Sequence, residues 1–493
     1  MPSRAEIQKI IDLCAESISI VESDAIRFDH LCTLDGFNRT LVDYKQQLDD
    51  MFSKDTSVFL SGLSEMVQQI REDSNVTKRT IKAYSVSVWI DAHLSYQAEI
   101  EKNTISLYPL CKINQTSPFI MDSLNSNYDQ THIWINPKLP IRKTYDEGRG
   151  EERPNVLSSS LKGINGDLIN ISYFHYDGTF RVKNVVISDT SLFDEGRKDL
   201  TIAFAPITSE KGLINKTEVT IKYNNRDTSA VELSLKYGFE HFSERLKNDW
   251  ILAAKNKADI LFMPEMLGTE ESHGLNRNSI EWVEDLSCNL LSESADVPAM
   301  TVLPSRWFKR HNSATIVSGN GKVMGVQDKY EPYINRTDYK MEALSEQQEK
   351  TMIVFHIPNV HRIAVIICSE YLADVHVKWS DILCRCLGVS LILVPSFSPG
   401  EQDFYAALDR YREFDTTIVW GNCCGAGKSE TKGIGGCSIA GVNENDTFGA
   451  VCKCDHSCSN VKSCVFAEKL SLQITKSKIK IHSDEHQLNH IVL

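Results

Sequence analysis

Apolar residues in the first 75 positions recur at intervals of three and four, the spacing of one helix face. Ile7, Ile10, Ile11 and Cys14 begin the pattern, just behind Ser3 and Glu6, which are spaced as a capping box. Leu41, Tyr44, Leu48 and Phe52 follow, then Phe59, Leu63, Met66, Val67 and Ile70. These stripes predict helices packed into a small helical core, with a partner-binding stripe as the alternative. From residue 80 the period becomes two. Tyr84, Val86, Val88 and Ile90 alternate with Ser85, Ser87 and Trp89, which predicts a half-buried strand. The run ISYFHYDGTFRVKNVVI predicts a hairpin turning at Asp177–Gly178. Between them KTYDEGRGEERPN reads as an exposed loop.

Near residue 199 the texture shifts to alternating strands and helices. Apolar runs at LTIAFAPI, ADILFMPE, AMTVLP, SATIVS, RIAVIIC, SLILVPS and TTIVWGN predict strands. Helical segments are expected over VELSLKYGFEHFSERLKNDWILAAKNK, DVHVKWSDILCRCLG and FYAALDRYREFD. Fully apolar strands between helices indicate a sheet covered on at least one face, an α/β or α/β/β/α layering. The segmentation that follows is 1–78 helical, 79–195 β-rich and of unknown role, and 199–480 a third, larger unit.

Composition narrows the function classes. The 493 residues suffice for two or three domains, and 42% hydrophobic with 24% charged residues is an ordinary globular profile. A net charge of −13 disfavours nucleic acid and anionic lipid as partners. Arg306, Lys309 and Arg310 form a local basic patch, read as a solvated turn rather than an anion site. The acids and amides of the first 17 residues predict no secretory leader, and no stretch is long and apolar enough for a span. A cytoplasmic setting is expected, so the 14 cysteines read as buried thiols, metal ligands or a nucleophile.

Three groups stand at strand ends, where α/β sheets hold reactive side chains. Glu265 closes ADILFMPE, Cys368 closes RIAVIIC, and Lys329 follows the strand–turn–strand SATIVSGNGKVMGVQDK. Taken singly, each has an ordinary explanation: a solvated strand end, a solvated lysine, a small buried thiol. Their order and surroundings change that. The stretch from about 200 to about 474 resembles the nitrilase superfamily of carbon–nitrogen hydrolases. The motifs carrying the resemblance are ADILFMPE, HNSATIVSGNGKV leading to DK, IAVIICSEY, SLILVPSFSPG, TTIVWGNCCGAG and GGCSIAGVNENDTFGAV. They occur in the family's order, and the spacings of 64 and 39 residues between Glu265, Lys329 and Cys368 fall in its range.

The resemblance implies a nitrilase-like α-β-β-α sandwich preceded by an α+β extension. It implies Cys368 as nucleophile, Glu265 as general acid/base and Lys329 as electrostatic stabiliser, with no cofactor. The backbone N–H of Ser369 would be a second oxyanion donor, and Ser369 and Glu370 would lie against substrate. Many relatives carry a second Glu about eight residues beyond the Lys. Here Thr337 stands at that position, leaving Asp338 or Glu342 to substitute. Ser369 replaces the Trp typical of nitrile hydrolysers, which favours a small-molecule amide or carbamoyl substrate, or acyl transfer. A homo-oligomer is also expected by resemblance. A glutamine-dependent NAD synthetase is disfavoured because no ATP-binding domain follows, and a membrane-bound acyltransferase because no span is present. The alternative reading is a catalytically silent scaffold or oligomerising component, of the kind found in bacterial defence systems.

Two further clusters draw notice. Cys452, Cys454, His456, Cys458 and Cys464 could supply a tetrahedral zinc site. Their spacing departs from paired C-x-x-C knuckles, so unligated thiols in a late hairpin are the preferred reading. Cys423, Cys424 and Cys437 either line the pocket or pack in the core, and the glycines of GKSETKGIGG read as a loop rather than a phosphate cradle.

Overall fold

The computed structural model describes residues 4–24, 36–52, 56–100, strand segments between 119 and 187, 199–268, 297–373, 383–384, 389–408, 416–426, 435–438 and 464–471, with short strands beyond; 209, 238–239, 320, 335–338, 346–349 and 358–360 fall outside it. Four helices open the chain: Arg4–Ser23, Phe37–Phe52, Thr56–Glu72 and Val76–Ile100. The first three carry the predicted stripes, and Cys14, Leu48, Phe59, Leu63, Val67 and Ile70 meet in one core.

Helix Val76–Ile100 corrects the strand expected at 84–90. Nearly every side of it is covered, because Val86, Trp89 and Ile90 are buried together with Ser85 and Ser87. Ser85 Oγ donates to the Ile81 carbonyl at 2.7 Å and Ser87 Oγ to that of Ala83 at 3.0 Å. Serines that bond the carbonyl four residues back need no solvent face. Alternating serine therefore mimicked a strand.

The predicted hairpin at 171–187 is corrected as well. Its two strands exist, but Ile171–His175 pairs with Ile133–Pro137, whereas Phe180–Val186 pairs with Phe119–Asp122 and with Lys350–Ile357. The polar stretch read as a loop contains a short antiparallel pair, Thr144–Asp146 with Glu151–Arg153. Asp177–Gly178 lies outside the described residues.

Two sheets dominate after the helices, and the second of them takes in two strands from before residue 199. One runs in the order Arg306–Phe308, His311–Ser318, Met300–Val302, Ile260–Phe262, Asp199–Phe204, Cys464–Ser471, Asn489–Val492, with Val323–Asp328 also paired to His311–Ser318. The other runs Phe119–Asp122, Phe180–Val186, Lys350–Ile357, His361–Val365, Leu391–Ser396, Thr417–Asn422, Gly435–Ser438. All seven apolar runs predicted as strands are present. Alternation along the first sheet sends Ile202, Phe204, Ile260 and Phe262 into a core shared with Val354, Ile363 and Leu393 of the second. Ala203, Leu261 and Val317 face the other way, onto Phe242, Leu246 and Trp250 of helix Glu240–Lys255. The sheets approach closely at Gly421, where an added Cβ would stand 2.2 Å from the Phe204 ring.

One predicted helix is divided. The stretch from 231 begins as strand, since Arg226–Leu235 pairs with Ile214–Tyr223 across Asn224 and Asn225, and becomes helix only at Glu240. Both asparagines have positive φ, 49° and 61°, the conformation a two-residue hairpin turn requires. A third, three-stranded sheet forms when Met341–Glu342 joins Arg226–Leu235. Helix Glu401–Leu408 covers the start of another predicted helix, while most of the one expected from 374 lies outside the described residues. Lys309 and Arg310 form the turn between two strands, with φ 47° and 64°, whereas Arg306 of the same patch lies on strand Arg306–Phe308 and is half-buried. Among the described residues, no helix is long and apolar enough to cross a membrane.

Candidate active site

Each of the three chemistry-bearing residues is delivered by a different apolar strand. Ile260–Phe262 runs into Glu265, Val323–Asp328 into Lys329, and His361–Val365 into Cys368. The first two strands belong to one sheet and the third to the other, so the groups meet where the sheets face each other. Glu265 is 3% exposed, Lys329 2% and Cys368 5%. Charges buried this deeply persist only when paired and hydrogen-bonded.

The pairing is complete. Lys329 Nζ lies 2.9 Å from Glu265 Oε1 and 2.7 Å from Glu342 Oε2. Glu265 Oε2 accepts the Phe397 backbone N–H at 3.1 Å, and Glu342 Oε2 that of Tyr333 at 3.0 Å. Burial pulls the Lys329 ammonium down, yet Glu265, Glu342 and Cys368 together outweigh it and hold the group above its ordinary range. Glu342, one of two acids weighed for the missing second Glu, therefore sits directly on the lysine. Asp338, the other, lies outside the described residues, as does Thr337.

Cys368 occupies a strained turn. Its φ of 52° and ψ of −119° are ones a side-chain-bearing residue adopts at a cost of roughly 1–3 kcal/mol. Its N–H is held by the Pro395 carbonyl at 2.9 Å, and the chain turns at once into Ser369–Leu372. Burial is the largest influence on the thiol and raises its pKa well above the ordinary value. The neighbouring Glu265 carboxylate raises it further, while Lys329 opposes. The resting group is thus a neutral thiol with a carboxylate beside it, rather than a preformed thiolate.

Glu370 is fully buried. Its Oε1 accepts the Tyr330 N–H at 3.0 Å, tying the turn after Cys368 to the residue after Lys329. Its Oε2 has no partner among the described residues, nor has Ser369 Oγ. Burial pushes the Glu370 carboxyl up to about 8, against the lowering effects of the Tyr330 N–H and Lys329. A raised acid favours the fold while protonated. Its contribution is complete below the unfolded value near 4.5 and is lost as pH rises to about 8. Glu370→Gln, neutral at every pH, should flatten this part of the profile. Between pH 5 and 9 the wild type should lose a few kcal/mol more than the variant, at about 1.4 kcal/mol per pKa unit. Parallel denaturant-stability curves across that range would count against a protonated Glu370.

Two residues of the site escaped the sequence reading. Asn312 and Ser305 are both fully buried and join the carboxylates by side-chain hydrogen bonds. Their only signal was a polar residue at the mouth of an apolar strand. Cys423 is buried, its sulfur accepting the Gly425 N–H at 3.3 Å and facing the Thr208 carbonyl at 3.5 Å, which fits core packing. Cys424 is half-buried beside the inter-sheet core, and Cys437 lies on the edge strand Gly435–Ser438. Cys464 is buried with its N–H on Asp249. Cys452, Cys454, His456 and Cys458 lie outside the described residues, as does 427–434.

No family model matches the chain, and no curated protein matches it in sequence. Its structural neighbours include nitrilase-superfamily amidases and an NAD+ synthetase, proteins of the carbon–nitrogen hydrolase fold. A variant of the amidase from Nesterenkonia AN1 is 15% identical, with a TM-score of 0.36, over 55% of this chain and 91% of that one. A Nesterenkonia sp. amidase structure is 16% identical, with a TM-score of 0.31, over 46% and 76%. The glutamine-dependent NAD+ synthetase from Acinetobacter baumannii is 17% identical, with a TM-score of 0.36, and the match spans 59% of this chain but 49% of that one. At such scores these likenesses add no weight, and the site rests on its own geometry.

Proposed function

We propose that this chain is a cysteine-dependent hydrolase of a non-peptide carbon–nitrogen bond, amide or carbamoyl, acting through a thioester on Cys368. One observation carries the reading. A thiol on a strained turn stands beside a carboxylate that is itself bonded to a buried ammonium, a buried amide and a backbone N–H. A structural cysteine needs none of these.

The arrangement suits a base-assisted attack. Sγ bonds to the carbonyl carbon as its proton passes to Glu265. The oxyanion that forms is stabilised by Lys329 and by the backbone N–H of Ser369. Collapse breaks the C–N bond, and Glu265 returns the proton to the departing amine or ammonia. Water then attacks the thioester, giving its proton to Glu265. The C–S bond breaks, and the proton returns to sulfur as the acid is released. Glu342 keeps Lys329 in place throughout and takes no proton.

Glu342 on Lys329 supports this reading over the catalytically silent alternative, because an acid stands on the lysine although Thr337 occupies the usual position of the second Glu. The α-β-β-α layering belongs to the same proposal, supported by the core shared between the two sheets and by the helix over one outer face. The N-terminal region, residues 1–195, we assign to partner recognition or assembly; among its described residues none has a side chain bonded to the site. The test is intact-protein mass spectrometry after exposure to a library of small amides and carbamoyl compounds. An acyl adduct on the wild type that is missing from Cys368→Ala supports the reading. Failure of every compound to leave an adduct or a hydrolysis product would sink it.

A further inference from the structure

Asn312, the second residue of strand His311–Ser318, lies under both carboxylates of the site. Its Nδ2 donates to Glu265 Oε1 at 2.8 Å and to Glu342 Oε1 at 3.2 Å. Its backbone carbonyl accepts the Lys329 N–H at 2.8 Å. One residue thus touches all three charged partners without being charged itself. An amide could still turn over and present its oxygen to the carboxylates. Ser305 prevents this, because Ser305 Oγ donates to Asn312 Oδ1 at 2.7 Å. Ser305 Oγ is itself fixed by the Met266 N–H at 3.0 Å. Met266 directly follows Glu265 and has φ 73°, a left-handed conformation that needs such an anchor. The path closes on itself, from the turn after Glu265 through Ser305 and Asn312 to the Glu265 carboxylate.

We infer that Asn312, locked by Ser305, is a positioning residue that aims the Glu265 and Glu342 carboxylates at Lys329. It reaches no substrate and acts through the two acids. A carboxylate has two oxygens and rotates freely unless both are held. Glu265 Oε2 is held by Phe397, so Lys329 and Asn312 together fix Oε1. Two acids crowding one ammonium also repel each other, and the amide N–H groups between them are what lets both face it.

This inference rests on the proposed chemistry at Cys368 and is tested through that thiol. The probe is iodoacetamide, which carries an amide group, and the readout is the pH profile of Cys368 alkylation followed by peptide mass spectrometry. The groups facing the thiol are Glu265 and Lys329; Glu342 stands on Lys329, Glu370 in the adjoining turn, and Asp328 and Glu331 flank the lysine segment. Asn312→Asp keeps the shape, removes the donors and adds a third acid. The profile midpoint should rise by at least one pH unit, with at least a tenfold slower rate at pH 7. Ser305→Ala removes no atom of the acids or the lysine and frees only the amide that aims them, and should slow alkylation about threefold or more at a nearly unchanged Tm. A lowered Tm with rate and midpoint unchanged in both variants would overturn the inference, leaving the enzyme reading intact. A wild-type Cys368 that alkylates no faster than the other buried thiols would instead bring down the enzyme reading, and this inference with it. Should Asn312→Asp fail to fold, Ser305→Ala decides alone.

Discussion

Lys329→Ala should be among the most destabilising single substitutions in the molecule, costing about 3–5 kcal/mol. The reason is what remains. Glu265 and Glu342 are each about 97% removed from solvent, and without the ammonium two acids face each other with Asn312 as their shared donor. An intact buried triad is weak evidence for stability, because desolvation offsets most of its attraction. A broken triad leaves that desolvation uncompensated. Chemical denaturation provides the measurement. Adding Glu265→Gln and Glu342→Gln to the lysine variant should recover much of the loss, since neutral amides need no counter-charge. A loss below about 1 kcal/mol, typical of an exposed pair, would mean that water reaches the triad.

The second large effect is chemical. Cys368→Ser preserves the turn, the size of the side chain and the neighbouring carboxylate, yet acyl-adduct formation should fall by at least about 10³-fold, the scale on which losing one member of a catalytic unit acts. A hydroxyl is far less readily deprotonated than a thiol, and Glu265 is the base proposed to take its proton. Circular dichroism and Tm should stay near wild type, which separates this loss from that of Lys329→Ala. Comparable adduct yields from the serine variant would show that another residue carries the acyl group.

Glu265, Lys329 and Cys368 stood out in the sequence through the order and surroundings of their motifs, since a strand-end position taken singly had an ordinary explanation for each. Glu342 was legible only as one of two acids following the lysine. Choosing between them needs the third sheet, whose pairing of Met341–Glu342 with Arg226–Leu235 spans more than 100 residues. Asn312 and Ser305 were hidden for a different reason. Inside an apolar run a single amide or hydroxyl looks incidental until its partners, 47 and 39 residues away, are in view. The strand misread at 84–90 failed because serine was counted as a solvent-facing residue. The helix misread at 231–235 overlooked Asn224–Asn225, a turn signal present in the sequence that makes Val231, Leu233 and Leu235 alternate as a strand.

Glu265 and Lys329 come from one sheet, Cys368 and Phe397 from the other, and Gly421 lets the two close to ring contact. Neither sheet alone brings the thiol, the carboxylate and the ammonium together. On the proposed function, a refolding intermediate in which the sheets have not yet docked should leave no acyl adduct on Cys368, so adduct yield sampled during refolding would report the moment at which the two sheets close.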